Sequence, residues 1–287
     1  MKNMWFSFSL ALFVMSGWVL QACVPTEPTR EIMNVAGDLY RVTDDNHRTV
    51  FLVTSEGIIL SDPISADFAN WLKVELAERF DVPVRYVLYS HHHWDHASGA
   101  AAFADTATLI GHENMIPNLA READDPSFQD VQLPDVIFAD RMTVTLGGKT
   151  VEMIHALPSH SDDSAVIHFL NERAIFAVDF FNVGRLPFEN LGGDVAPWIA
   201  ANKQLQATVN YDIAVPAHGP VGTSADVDDS IRYLQVLVAD VTEGIEAGLT
   251  LEEIQETVLM EDFSHYQQYD AWREQNIQGA YQGLMVE

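Results

Sequence analysis

The chain has 287 residues, 48% of them hydrophobic and 20% charged, enough apolar material for one large globular domain or two small ones. Fifteen basic residues against 42 acidic ones leave a net charge of −27, a surface that repels phosphate backbones and excludes nucleic acid as the expected partner. A single cysteine, Cys23, excludes an internal disulfide.

Reading in chain order, Lys2 precedes an apolar stretch from Trp5 to Leu20, the pattern of an export signal. The stretch is shorter than the about 20 apolar residues a membrane span needs. It runs into Leu20-Gln21-Ala22-Cys23, the form of a bacterial lipoprotein signal, so residues 1–22 are expected to be removed and Cys23 to carry lipid. Each buried acyl CH₂ contributes about 0.8 kcal/mol, so a multiply acylated cysteine anchors firmly. Val24 after the cysteine favours the periplasmic face of the outer membrane, and residues 23–30, rich in Pro and Thr, read as a tether.

Strands are expected at 39–42, 49–54 and 57–61, followed by a helix over 66–80 in which Phe68, Trp71, Leu72, Leu76 and Phe80 recur at helical spacing. Next come a strand over 84–90, a short helix after Ser98-Gly99, and a strand near 107–111. Residues 135–154 and 164–178 read as successive strands with turns at Gly147-Gly148 and Asn171-Glu172. A helix around 195–208 leads to a strand at 212–215. From Ala225 to the end the pattern is helical with a break near Gly248. This makes an α/β chain with mixed sheets: a main domain over 31–224 and a C-terminal helical segment over 225–287 packed on it.

The most informative stretch is His91, His93, Trp94, Asp95 and His96, which spells H-x-H-x-D-H directly after the apolar run Tyr86-Val87-Leu88-Tyr89. An extended segment points residues i and i+2 to one side, so His91 and His93 can reach one ion. Asp95 and His96 follow where the chain turns and can face a second ion. Imidazole with carboxylate is a donor set that suits zinc. A cloning tag would sit at a terminus and would not interrupt its histidines with Trp and Asp. His160, Asp179 and His218 each lie at the end of a strand-like run, where loops of an α/β scaffold carry function.

Taken in order, Asp62 before Pro63, the H-x-H-x-D-H loop, His160, Asp179 and the His218-Gly219 pair resemble the five motifs of the metallo-β-lactamase superfamily, over roughly residues 30 to 222. The resemblance implies a four-layer αβ/βα sandwich with metals at one edge between two sheets, here with a C-terminal helical extension. It implies that His91, His93 and His160 bind one zinc, that Asp95, His96 and His218 bind another, and that Asp179 bridges the two Zn²⁺ ions. It further implies hydrolysis by a metal-bound hydroxide, with Asp95 passing a proton to the leaving atom and Asp62 orienting a histidine from behind. His92 occupies the variable position and is expected to point away. His155 reads as a strand histidine, and His47, His112, His168 and His265 have no partner motif.

Asp179 is similar to the bridging aspartate of glyoxalase II and lactonases, whereas the zinc β-lactamases carry cysteine or no acidic ligand there. A glutathione thioester fits poorly, because residues 225–287 hold only Arg232 and Arg273 to meet its carboxylates. Asn182 and Arg185, just after Asp179, are candidates to hold a substrate carboxylate; a solvated loop is the alternative. The expected activity is zinc-dependent hydrolysis of an acyl bond (ester, lactone, thioester or β-lactam) in a small molecule. Two other readings stand beside it: a mononuclear iron oxidoreductase resembling persulfide dioxygenases, and a non-catalytic binding protein. The joint presence of Asp95, His96 and His218 favours two metals.

Overall fold

A computed structural model describes residues 28–155, 160–191 and 195–285. The leader, the lipidation position Cys23 and most of the tether lie outside the described residues. Strands β1 (Arg30–Ala36), β2 (Leu39–Asp44), β3 (His47–Thr54) and β4 (Gly57–Ser61) run antiparallel in sequence. Helix α1 (Ala66–Arg79) follows, then β5 (Val84–Leu88), α2 (Trp94–Ala97), β6 (Thr108–His112), α3 (Met115–Arg121) and β7 (Val136–Phe138). β4 to β7 pair in parallel and complete a seven-stranded sheet ordered β1-β2-β3-β4-β5-β6-β7. The second sheet has five strands: β8 (Arg141–Leu146), β9 (Lys149–His155), β10 (Ala165–Phe169), β11 (Ala174–Phe176) and β12 (Ile213–Val215), ordered β12-β11-β10-β9-β8. Helices α4 (Ala196–Thr208), α5 (Ser224–Glu246), α6 (Leu251–Thr257) and α7 (Tyr269–Met285) make up the rest.

Apolar patterning stacks these elements into layers. Leu39, Val50, Leu52, Ile59 and Leu88 of the first sheet meet Val151, Met153, Ile167, Phe169 and Phe176 of the second in one buried cluster between the sheets. On the far face of the first sheet, Phe51, Ile58, Leu60 and Val87 pack against Phe68, Leu72 and Leu76 of α1. On the far face of the second, Val166, Ile175 and Ala214 pack against Ala201 and Leu205 of α4 and Val227 and Ile231 of α5. Both faces of β4 are therefore covered, and all five of its residues are buried, as a central strand of an α/β sandwich requires. Each fully buried Phe or Leu here contributes roughly 1.5–3 kcal/mol. A fourth cluster joins α5, α6 and α7 around Leu237, Ile254, Phe263 and Ile277, so the C-terminal helices pack on the second sheet's helical layer.

Three local differences from the sequence reading have physical reasons. β1 forms over residues without clean alternation, because β2 supplies an antiparallel partner along its whole length. α3 carries Pro117 in its first turn, where a missing N–H breaks no helical bond. β5 ends at Leu88 rather than at residue 90, because Ser90 leaves the sheet: its N–H donates to Asp62 Oδ1 at 2.8 Å and its carbonyl accepts from Ala165 N at 2.7 Å. Among the described residues no helix is long and apolar enough to cross a membrane.

Candidate metal centre

The site lies along one edge of the sandwich, where β5 ends, β3 begins, and β9, β11 and β12 of the other sheet run out. His91 and His93 follow β5, and their rings lie 4.5 Å apart. Asp95 and His96 ride on α2, a single helical turn that begins directly after His93. Asp62 and Pro63 hold that turn from behind. The Ile64 N–H, in left-handed backbone at φ 59°, donates to His96 O at 2.7 Å. Gly99 closes the contact, because a Cβ there would overlap the carbonyl oxygens of Pro63 and Ser65.

Three residues of the second sheet reach the same place. His160 Nε2 is 3.0 Å from His93 Nδ1. Asp179 follows β11 in left-handed backbone at φ 53°, a conformation Asp tolerates better than most residues and one that clusters at functional sites. Its Oδ2 lies 3.3 Å from His96 Nε2 and 3.7 Å from His160 Nε2, and its Oδ1 lies 3.4 Å from His218 Nε2. Gly219, at φ 115°, turns the chain away immediately after His218. Asp95 Oδ2 is 3.4 Å from His96 Nε2.

Several of these spacings are long for charge-assisted hydrogen bonds, which run about 2.7–2.9 Å. They match the edge of a coordination tetrahedron: donors about 2.0–2.1 Å from a zinc ion lie about 3.3–3.4 Å from one another. The donor atoms of His91, His93 and His160 fall within 4.8 Å of one another, as do those of His91, His96 and Asp179, and those of His47, Asp95 and His218. His96 falls in the set with His91 and Asp179, and its ring centroid lies 5.7 Å from that of His218. His91 Nε2 and both ring nitrogens of His96 are buried without a hydrogen-bond partner. Orphaned, buried nitrogens facing ionised carboxylates are a donor set that fits a divalent cation.

Electrostatics point the same way. Burial, and then its imidazole neighbours, hold His91 well below the ordinary histidine value and His93 at about 4. Burial likewise pushes His218 down to about 4. Burial opposes charge on Asp95, yet the contact from His47 and the nearby His96 hold it at about 2. Burial also opposes charge on Asp179, and the surrounding histidines keep it well below the carboxylate range. Burial works against a proton on His96 as well, but Asp179, Asp95 and Asp62 raise it to about 9. The centre thus combines ionised carboxylates with mostly neutral imidazoles, a lone-pair-rich pocket.

Asp62 is fully buried, and burial pushes it up to about 6 against the pull of His96 and Ser90. Its Oδ2 accepts from Ser90 Oγ at 2.6 Å, and Ser90 Oγ lies 2.9 Å from His91 Nδ1. With the hydroxyl donating to Asp62, His91 Nδ1–H donates to Ser90, which leaves the Nε2 lone pair for a metal. Asp62 therefore reaches the histidine through Ser90, a residue the motifs do not mark.

His92 turns away, with Nδ1 3.0 Å from Asp163 Oδ1 and its ring stacked on Phe128. His155 stacks on His112 at 3.8 Å away from the donors. Asn182 is buried, and Arg185 Nη1 donates to its Oδ1 at 3.3 Å while the guanidinium lies 4.5 Å over the Trp272 ring of α7. Burial lowers the Arg185 pKa; the charge of Asp179 opposes that and the charge of Arg48 adds to it. Asn182 and Arg185 thus form one braced unit beside the centre, walled by a C-terminal helix. Trp94 leaves 48% of its surface exposed. His47, without a motif in the sequence, stands in the centre with Nε2 3.3 Å from Asp95 Oδ2.

The chain is similar to several known proteins. The chain is 28% identical over 209 residues to the 2,4-dinitroanisole O-demethylase subunit alpha of Nocardioides sp. (strain JS1661), covering 70% of this chain and 60% of that one. It is 23% identical over 255 residues to the linear primary-alkylsulfatase of Pseudomonas sp. (strain ATCC 19151), covering 71% of this chain and 48% of the relative. The chain thus spans between about half and three fifths of these relatives' lengths. A metallo-beta-lactamase from Pontibacter korlensis shares the fold at a TM-score of 0.63 and 21% identity, over 72% of this chain and 99% of that chain. The family model described as the metallo-beta-lactamase superfamily matches residues 44–218, a span that runs from the end of β2 to the last of the motif histidines. The chain belongs to the metallo-β-lactamase superfamily.

Proposed function

We propose that the protein is a dinuclear zinc hydrolase that cleaves an acyl bond (ester, lactone, thioester or β-lactam) in a small molecule. The observation that carries the reading is the convergence of His91, His93, His160, Asp95, His96, His218 and Asp179 from both sheets, with His96–Asp179, His96–Asp95 and His218–Asp179 at 3.3–3.4 Å and the donors of His91, His93 and His160 within 4.8 Å of one another. His91, His93 and His160 would hold one ion, Asp95, His96 and His218 the other, and Asp179 both. Bound zinc supplies Lewis acidity and lowers the pKa of water toward about 7. The Asp62–Ser90 pair keeps His91 in the donor tautomer. Asp95 takes the proton released at the centre and passes it to the leaving atom. Arg185, held by Asn182 and Trp272, receives an anionic group of the substrate and leaves the other end toward the exposed Trp94.

The relatives are named as a 2,4-dinitroanisole O-demethylase subunit and a linear primary-alkylsulfatase, so alkyl sulfates and aryl methyl ethers belong in the substrate panel beside acyl compounds. We further propose export and lipid anchoring at Cys23, which Cys23→Ser would abolish by leaving the protein in the soluble fraction. For the activity, elemental analysis of purified protein is expected to give two zinc ions per chain. Hydrolysis of p-nitrophenyl esters, lactones, thioesters or nitrocefin is expected to disappear on chelation and return with zinc. One iron per chain with oxygen uptake would overturn this in favour of the persulfide dioxygenase-like reading.

A further inference from the structure

We propose that His47 is a protein ligand of the second metal ion, beside Asp95, His96 and His218. The inference rests on the dinuclear reading above. His47 Nε2 lies 3.3 Å from Asp95 Oδ2, and the donor atoms of His47, Asp95 and His218 all lie within 4.8 Å of one another. As a hydrogen bond between imidazole and carboxylate, 3.3 Å is long. As the distance between two donors on one ion it is ordinary, and it repeats the 3.3 and 3.4 Å spacings around His96 and His218. The His47 ring centroid is 4.9 Å from that of His218 and 5.6 Å from that of His96, edge-on to both.

The turn that carries His47 is built into this half of the centre by a second contact. His218 Nδ1–H donates to the Asn46 carbonyl at 2.7 Å, which fixes the His218 tautomer and leaves its Nε2 free to bind an ion. Arg48 Nη1 in turn donates to the carbonyls of Asp45 at 2.7 Å and His47 at 2.8 Å, pinning the turn on its other side. The neighbour that orients one ligand thus presents a further imidazole to the same ion. The second ion then has His47, Asp95, His96, His218 and the shared Asp179, whereas the first has His91, His93, His160 and Asp179.

The test compares the full chain with His47→Ala and His47→Gln, using zinc titration against a competing chelator and X-ray absorption of the fully loaded proteins. Circular dichroism of the metal-free forms checks that each variant folds. The first ion is expected to bind unchanged and the second at least tenfold more weakly in both variants. The absorption fit is expected to fall from six imidazoles over the two ions to five. Restored affinity in His47→Gln, which keeps a side-chain N–H donor, would reduce His47 to a hydrogen-bond partner of Asp95 and overturn the proposal. So would an unchanged imidazole count in His47→Ala. If the unaltered protein itself takes up fewer than two ions, the dinuclear reading fails and this one with it.

Discussion

A hydroxyl with no place in any motif, Ser90 Oγ, joins the fully buried Asp62 carboxylate to a donor histidine. Replacing Ser90 with Ala leaves Asp62 Oδ2 without its donor, while the backbone N–H still serves Oδ1. An unsatisfied buried carboxylate oxygen costs about 1–3 kcal/mol, so the melting temperature of the metal-free variant is expected to fall. Loss of the brace on His91 is expected to weaken the first zinc about 10–100-fold. Calorimetry and a zinc competition assay read the two effects separately, and an unchanged zinc affinity would show that Asp62 does not act through Ser90. Residues such as His91 or Asp179 were legible because their types and spacing carry the chemistry. Ser90 and His47 were not, since one hydroxyl and one histidine have no local signature. Their roles come from tertiary placement: β3 runs antiparallel to β4, so its first residue arrives at the edge where β4 delivers Asp62.

At the scale of elements, the contact between α2 and the 62–65 turn decides where Asp95 and His96 stand. Gly99→Ala would drive a Cβ into the Pro63 and Ser65 carbonyls, and backbone cannot step aside as a side-chain tip can. Overpacking of this kind costs about 1–3 kcal/mol. Because the displaced element carries Asp95 and His96, proposed above as ligands of a second ion, Gly99→Ala is expected to weaken that ion more than the first, as a stepwise zinc titration would show. Equal weakening of both would place the strain elsewhere. Apolar residues at helical spacing made α1 readable, continuous apolar runs did the same for β3 and β4, and the turn pairs at Gly147-Gly148 and Asn171-Glu172 separated strands as expected. α2 was not readable as a helix, because four residues offer no period and its helical turn is set by the Ile64 N–H bonded to the His96 carbonyl. The pairing order of the strands, and the choice of α7 to wall Arg185, are likewise settled by packing rather than by local pattern.

Across the whole molecule, the donor residues divide between the two sheets: His91, His93, Asp95 and His96 follow β5 of one, and His160, Asp179 and His218 follow β9, β11 and β12 of the other. Ions bound between them therefore join the halves of the sandwich. Zinc at 100 times its dissociation constant adds about 2.7 kcal/mol per site to folding stability. Stripping it is expected to lower the melting temperature on the order of 5 °C or more, with the loss reversed by zinc and not by magnesium. A melting curve indifferent to chelator would mean that the side chains meet without a shared cation.

Ions bound at the same seam would lengthen the protein's lifetime. In a zinc-starved environment the interface would open more often, and proteases would sample the exposed inner faces in proportion to how long it stays open. Metal supply would then govern how much of the protein persists.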